Sequence, residues 1–406
     1  MRVLYVCRLF TGLENSIIKN EWAPTGVPTI YKILEELNKE SDLRLFLVQK
    51  PGFSNKYYSK DFKVQWQEFN NPVFVISGEK YFKFSPKRIR LILSEIRHLF
   101  IFFRQVLLIK PDIIYFDNSN ILTFGVISRI FKIPTIFRIM GVNPFMKKIF
   151  QSTNFKNLIF RFLYMSPFSL VICTQDGSGI EPWLKKAINK KTKIIKLING
   201  VPKRSSENYV YNDNKQFKIL FIGKLESQKG PVQFVEAAIQ CIKYYSLNIK
   251  FQIIGDGSLR TQLVDRINSE GLQNSFKFYH KVKHSDIIEF LKDADIYVSL
   301  NAFGNLSNAN LEAISQNKCI IIPKSQPKTG VDLIVDKLFP QNAIYRIDSQ
   351  NDIKGLSRGI MLLYKDPILR ENFENNLSAY SKNLSSWNDR VNNEISILKY
   401  YDKKNK

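Results

Sequence analysis

The stretch DIYVSLNAFGNLSNANLEAIS, residues 295–315, begins as an apolar run, crosses a loop of small and amide side chains, and enters a helical pattern. Strand, loop and helix in that order are half of a βαβ unit, the building block of a parallel sheet. Ser307 or Asn308 can cap the helix, and Glu312 stands about one turn into it. Capping satisfies orphan N–H groups only in part, so amides across Asn305, Leu306, Ser307 and Asn308 are expected to stay open to a diphosphate. The Glu312 carboxylate can accept two hydroxyl hydrogen bonds, as a ribose diol requires.

The same alternation extends in both directions. Ahead of residue 202, apolar runs at 3–6, 43–48, 73–76, 113–116, 135–139, 170–173 and 194–197 read as buried strands. Helical patterns at 29–37, 86–109, 120–131 and 149–164 fall between them. Residues 202–216 are polar and without period, which predicts a linker. Beyond it, strands at 217–222, 249–254, 276–279, 295–300 and 319–322 alternate with helices at 232–244, 259–268, 286–293 and 309–315. The expected fold class is α/β with two Rossmann-like domains, which agrees with a chain of 406 residues, too long for one core.

Ligands of such sheets bind where strands end and helices begin. Gly223 and Lys224 follow the 217–222 strand, and Lys229 precedes Gly230-Pro231, so two ammonium groups and a helix start make a phosphate site or a solvated lysine loop. Gly255-Asp256-Gly257 follows the 249–254 strand, where the glycines can admit a ligand's ring or phosphates, or form a tight turn with Ser258 as helix cap. It is not a GxGxxG fingerprint.

The net charge is +24. Residues 1–200 hold 31 Lys and Arg against 14 Asp and Glu, an excess of 17, so a polyanionic partner is expected in the first half, or else lysine-rich codon usage. The 86–109 helix carries Arg90, Arg97 and Arg104 seven residues apart, on one face, with Leu, Ile and Phe elsewhere and with Lys80, Lys83, Lys87 and Arg88 close by. This is either a core helix with one exposed edge or a surface that docks on anionic lipid. No signal peptide and no spanning helix is expected, hence a cytoplasmic location. Cys7, Cys173, Cys241 and Cys319 are far apart and predict buried free thiols.

The ordered set Gly223-Lys-Leu with Lys229-Gly, Ile253-Ile-Gly-Asp-Gly257, Ala294-Asp-Ile-Tyr-Val-Ser299, and Asn305-Leu-Ser-Asn with Glu312-Ala resembles the C-terminal domain of retaining GT-B glycosyltransferases of family 4. Pro111-Asp112-Ile-Ile, Ile133-Pro-Thr-Ile with Gly141, Ile198-Asn-Gly-Val201 and Ser386-Trp387 extend the similarity over nearly the whole chain. The resemblance implies two Rossmann-like domains facing across a cleft: 1–201 for the acceptor, 217–385 for the nucleotide-sugar, and a last helix, 386–406, returning to the first domain. It further implies Lys224 and Lys229 on the donor diphosphate, and Glu312, the second Glu of a Glu-x7-Glu pattern, on the ribose. Gly26, Gly223, Gly255, Asp256, Gly257, His280, Val282, Asn305, Leu306, Ser307 and Asn308 complete the donor-binding set.

Two positions depart from the family's pattern. Gly304 stands where the first Glu would contact the transferred sugar, and Met140 where many relatives have a histidine. Arg138 is the polar group nearest Met140, a candidate for the sugar or a phosphate, or else a strand-end surface charge.

The implied activity is retaining transfer of a sugar from a nucleotide-sugar to a lipid-linked glycan acceptor, with charge stabilisation by Lys224, Lys229 and the 305–308 amides and no cofactor. No metal is expected, and Asp293-Ala-Asp295, the one DxD, reads as helix end and strand start. The expected partners are the donor, the acceptor and an anionic membrane surface, and not nucleic acid, since no module or exposed aromatic pattern accompanies the charge. A nucleic-acid binder, an epimerase with two Rossmann units and a donor-binding relative without activity are the rival readings.

Overall fold

The computed structural model describes residues 1–50, 58–78, 86–202, 216–280, 282 and 286–403. The predicted linker lies almost entirely outside the described residues, as do Lys80 and Lys83. The chain forms two units. The first comprises Met1–Thr174, Trp183–Leu197 and Asn388–Lys406; the second comprises Gln175–Pro182 and Ile198–Trp387.

The first unit is built on eight strands, β1 (Arg2–Leu9), β2 (Asp42–Gln49), β3 (Phe62–Val64), β4 (Val73–Ile76), β5 (Ile113–Asp117), β6 (Thr135–Ile139), β7 (Leu170–Thr174) and β8 (Lys193–Leu197). They lie in the order β3-β4-β2-β1-β5-β6-β7-β8, parallel except for β3 against β4. The helices between them are α1 (Thr11–Lys19), α2 (Pro28–Glu40), α3 (Lys87–Ile109), α4 (Ile121–Ile130), α5 (Pro144–Lys148), α6 (Phe155–Tyr164) and α7 (Ile180–Ala187). Both faces of β1 and β5 are buried, which is why Val3–Cys7 and Ile113–Phe116 are unbroken apolar runs rather than alternating ones.

The helix expected over 149–164 begins only at Phe155, because residues 149–154 form a turn between α5 and α6. Asn154 caps α6 by accepting from the Asn157 N–H at 2.9 Å, and the Arg161 guanidinium donates to the Ile149 carbonyl at 2.8 Å across the break. On α3 the expected arginine stripe does not form a single exposed row. Arg97 turns inward to the Asp61 carboxylate and the Ser77 carbonyl, while Arg104 stays exposed. The exposed side of α3 is apolar instead.

The second unit contains β9 (Phe217–Ile222), β10 (Ile249–Ile254), β11 (Phe276–Tyr279), β12 (Ile296–Val298), β13 (Cys319–Pro323) and β14 (Tyr345–Ile347). Its helices are α8 (Pro231–Lys243), α9 (Arg260–Ser269), α10 (Ile287–Asp293), α11 (Asn308–Ser315), α12 (Leu333–Leu338), α13 (Ile353–Lys365), α14 (Pro367–Ser381) and the start of α15 (Trp387–Lys403). The remainder of α15 belongs to the first unit, where Val391, Ile395 and Leu398 join the core of β1 and β2.

All six strands of the second sheet are parallel, in the order β11-β10-β9-β12-β13-β14. Strand order therefore reverses between β9 and β12, which pair with Val298 opposite Phe221. In an open α/β sheet the crevice beyond the carboxyl ends of those two strands is where ligands bind. Gly223 and Lys224 leave β9 there, and Ser299 and Leu300 leave β12.

Candidate nucleotide-binding site

The loop after β9 makes a short 3-10 turn over Ser227–Lys229 and enters α8 through Gly230 and Pro231. Its aliphatic stem passes over the strand end: a Cβ on Gly223 would lie 3.8 Å from Lys229 Cγ. The Lys229 ammonium is half-buried and makes no hydrogen bond or ion pair among the described residues. Burial holds its pKa below the usual lysine range, the Asp176 carboxylate works against that, and Lys224 adds to the lowering. Lys224 is exposed. An unpartnered, partly desolvated cation is a place for an anion.

The β12 loop is tied to this turn by the Ala302 N–H, which donates to the Gln228 carbonyl at 3.0 Å. Ser307 caps α11 by accepting from the Asn310 N–H at 3.4 Å. The N–H groups of Ser307, Asn308 and Ala309 make no bond among the described residues. The Asn308 side chain accepts from Asn199 Nδ2 at 2.7 Å.

Two of the four amides expected to be open are not. The Asn305 N–H donates to Asp332 Oδ1 at 2.6 Å, and the Leu306 N–H donates to the Asp176 carbonyl at 3.1 Å. Asn305 and Leu306 are themselves buried. Asn305 is a strut: its side chain joins Ser299, Asn301 and Asp332. Open amides begin at Ser307. Glu312 is 3% exposed, on α11 beside Tyr297, whose phenol is raised by burial and by the Glu312 charge.

Gly304 has φ +127°, and an added Cβ would lie 2.4 Å from Gly177 C and 2.5 Å from the Asp176 carbonyl oxygen. The turn over residues 176–178 fills the space a side chain at 304 would need, so no carboxylate can stand there. That turn brings Asp176, half-buried, into electrostatic reach of Lys229 and of Asp332. Burial raises the carboxyl of Asp176, and burial raises that of Asp332 to about 6, despite two hydrogen bonds from Asn305.

The sequence reading missed both aspartates. Asp176-Gly-Ser-Gly179 directly follows an apolar strand, the very signal applied to the second half of the chain, but β7 lies in the first half.

The glycines of the β10 loop serve packing. A Cβ on Gly255 would lie 1.9 Å from the Gly223 carbonyl oxygen, and one on Gly257 would lie 2.5 Å from that of Leu225. The backbone they admit closely is that of the β9 loop. The Asp256 carboxylate faces outward, 3.5 Å from His280 Nε2, and Val282 packs against the second unit's core. Ser258 does not cap α9: its hydroxyl donates to Glu226 Oε2 at 3.0 Å. Asp293 and Asp295 both bind Lys218, each at 2.7 Å.

Arg138 requires a correction. It lies inside the first unit, 2% exposed, donating to Thr174 Oγ1 at 2.8 Å and 3.8 Å from Glu394 on α15. Glu394 also takes Arg390 at 2.7 Å and the Tyr115 hydroxyl. Burial pushes the Glu394 carboxyl up, but Arg138 and Arg390 outweigh it and hold it below the usual range. Arg138 is therefore a structural cation and neither a surface charge nor a ligand contact. Gly26, at φ +85°, is exposed in the first unit's loop ahead of α2. Met140 packs against the first unit's core.

Residues 205–379 match the family Glycosyl transferases group 1. An uncharacterized glycosyltransferase of Methanocaldococcus jannaschii is 26% identical over 238 residues, 54% of this chain and 57% of that protein. A Campylobacter jejuni alpha-1,4-N-acetyl-D-galactosaminyltransferase, named for GalNAc-alpha-(1->4)-GalNAc-alpha-(1->3)-diNAcBac-PP-undecaprenol, is 40% identical over 62 residues, 15% of this chain and 17% of that one. The matched stretches thus span about half of the first curated relative and less of the second. Among solved structures, Anabaena HepE in complex with UDP and glucose superimposes with a TM-score of 0.63 at 13% identity, covering 98% of this chain and 100% of that one.

The fold is that of the GT-B glycosyltransferases, and residues 205–379 are similar to the Glycosyl transferases group 1 family.

Proposed function

We propose that the protein transfers a sugar, with retention of configuration and without a metal ion, from a nucleotide-sugar to a lipid-linked saccharide in cell-surface polysaccharide synthesis. The observation that carries this reading is the unpartnered Lys229 ammonium at the point where the strand order reverses, with the open amides of α11 on the adjoining loop.

Lys229 and Lys224 hold the donor diphosphate together with the N–H groups of Ser307, Asn308 and Ala309. Charge on the diphosphate grows as the sugar's C1–O bond breaks, so groups fixed beforehand around it stabilise the transition state more than the ground state. The departing phosphate oxygen takes the acceptor hydroxyl's proton on the face it leaves, and retention follows. Glu312 holds the ribose from the α11 side.

The acceptor and location are supported by the first unit's surface. Packed α3, α4 and α6 expose Ile92, Phe100, Leu108, Phe155 and Phe162, with Phe100 71% and Phe155 79% exposed. Residues 86–165 hold 13 Lys and Arg against Glu95, Asp112 and Asp117. Those three carboxylates are engaged, by Lys50, the Arg2 N–H and the Arg8 N–H. An exposed apolar face in a segment with many more cations than carboxylates, none of them spare, fits an anionic bilayer at its interface, the cytoplasmic face of the cell membrane being the one that meets nucleotide-sugars. Among the described residues no helix is long and apolar enough to cross a membrane. The Campylobacter relative's name, with its PP-undecaprenol, points the same way for the acceptor.

The test is nucleoside diphosphate release from UDP-, GDP- and ADP-sugars with polyprenyl-diphosphate-linked saccharide in phosphatidylglycerol vesicles and excess chelator. Turnover with an unchanged anomeric configuration is expected. Inversion, or activity that chelator abolishes and magnesium restores, would refute the mechanism; equal turnover in detergent-free solution without vesicle binding would refute the location.

A further inference from the structure

Asp176 is a half-buried carboxylate that the proposed chemistry leaves unused. It stands on a turn fixed from three sides. Its Oδ1 accepts from the Ser178 N–H at 2.9 Å, its carbonyl accepts from the Leu306 N–H at 3.1 Å, and the Gly177 carbonyl accepts from the Asp332 N–H at 2.8 Å. The backbone of this turn touches Gly304, so the side chain is delivered to the mouth of the β12 loop by an element from elsewhere in the sequence.

Asp176 and Lys229 feel each other's charge, yet they do not form an ion pair within 4.0 Å among the described residues. Opposite charges this near one another would pair if their backbones allowed it. Here one is held by the 176–178 turn and the other by the stem lying over Gly223. A ligand with a negative group for the ammonium and hydroxyl donors for the carboxylate completes both. A sugar joined to a diphosphate is such a ligand.

We propose that Asp176 binds hydroxyl groups of the donor's sugar next to the diphosphate held by Lys229, and so helps to select which sugar is transferred. This rests on the proposed nucleotide-sugar site. Asp176 takes up sugar recognition from a turn between β7 and α7, and the half-buried polar groups nearest it on the β12 side are Ser307, the N-cap of α11, and Asn308, its first residue.

The experiment compares affinities for a nucleotide-sugar and for its nucleoside diphosphate, using UDP-, GDP- and ADP-sugars, in the wild type, Asp176→Asn and Asp176→Ala. Asp176→Asn keeps the acceptor atom that holds Ser178 and removes the charge, which guards against a misfolded variant. The expected result is a ratio of nucleotide-sugar Kd to nucleoside-diphosphate Kd that rises about tenfold in both variants, with the nucleoside-diphosphate Kd itself within twofold. An unchanged ratio overturns the assignment, and so does an equal loss for both ligands, which would mean that Asp176 acts only on Lys229. If the wild type binds neither ligand, the nucleotide-sugar site itself is wrong and this role goes with it.

Discussion

Asp332 accepts hydrogen bonds from both the backbone N–H and the side-chain amide of Asn305, each 2.6 Å long. These two bonds fix the loop that leads into α11. Asp332→Ala leaves the buried Asn305 N–H without an acceptor, at a cost of about 1–3 kcal/mol, and leaves its side-chain amide only the Asn301 carbonyl. A lower thermal midpoint and weaker nucleotide binding are expected together; a variant as stable as the wild type would show that the loop holds itself.

The same carboxyl sets a pH dependence. Folded Asp332 keeps its proton up to about 6, whereas the unfolded residue releases it near 3.8. The folded state therefore binds the extra proton, so this residue's stabilising contribution is full below about pH 4 and is lost as pH rises through about 6. The swing is roughly 3 kcal/mol. Stability of Asp332→Asn relative to the wild type should rise between pH 4 and about 7 in chemical denaturation; parallel curves would place the shift elsewhere.

Gly304 stands eight residues before Glu312, where the resemblance places the first glutamate of a Glu-x7-Glu pattern. Gly304→Glu is not a restoration here, because φ +127° is a strained conformation for any other residue and the Cβ would meet Gly177 and Asp176 within 2.5 Å. A drop of several degrees in thermal midpoint, with no gain in donor affinity, is the expected outcome. Tighter donor binding at full stability would contradict the packing of that turn.

Arg138 supports the first unit and not the chemistry. Arg138→Met strips Glu394 of one of its two guanidinium partners in a buried site, where breaking a pair costs about 3–5 kcal/mol. Stability should fall by that order while nucleoside-diphosphate affinity stays within twofold of wild type. Lost affinity in a variant of normal stability would return Arg138 to the binding machinery.

Much of this architecture was legible in the sequence because both sheets are parallel, apart from β3, and doubly covered. Val73–Ile76 is a continuous apolar run and Ile249–Ile254 an apolar one interrupted by Lys250 and Gln252, and the fold reproduces both residue for residue. What escaped is short or lacks a signal. α1 begins at Thr11 with no side-chain cap, and β3 and β14 have three residues each. The motif residues were found, but not which of them touch solvent. Asn305 and Arg138 carry polar side chains that the fold consumes internally, and no local pattern distinguishes such a strut from a ligand contact. Asp176 was hidden for the converse reason: it reaches the site from a segment about 130 residues earlier in the chain.

The most direct test is the thermal shift given by UDP, GDP and ADP to the wild type and to Lys229→Ala. Mass action raises the midpoint only for a ligand that binds the folded state. At least one of the three should raise the wild-type midpoint, and the shift should vanish in Lys229→Ala while the unliganded midpoint remains near that of the wild type. An equal shift in both proteins would contradict the account.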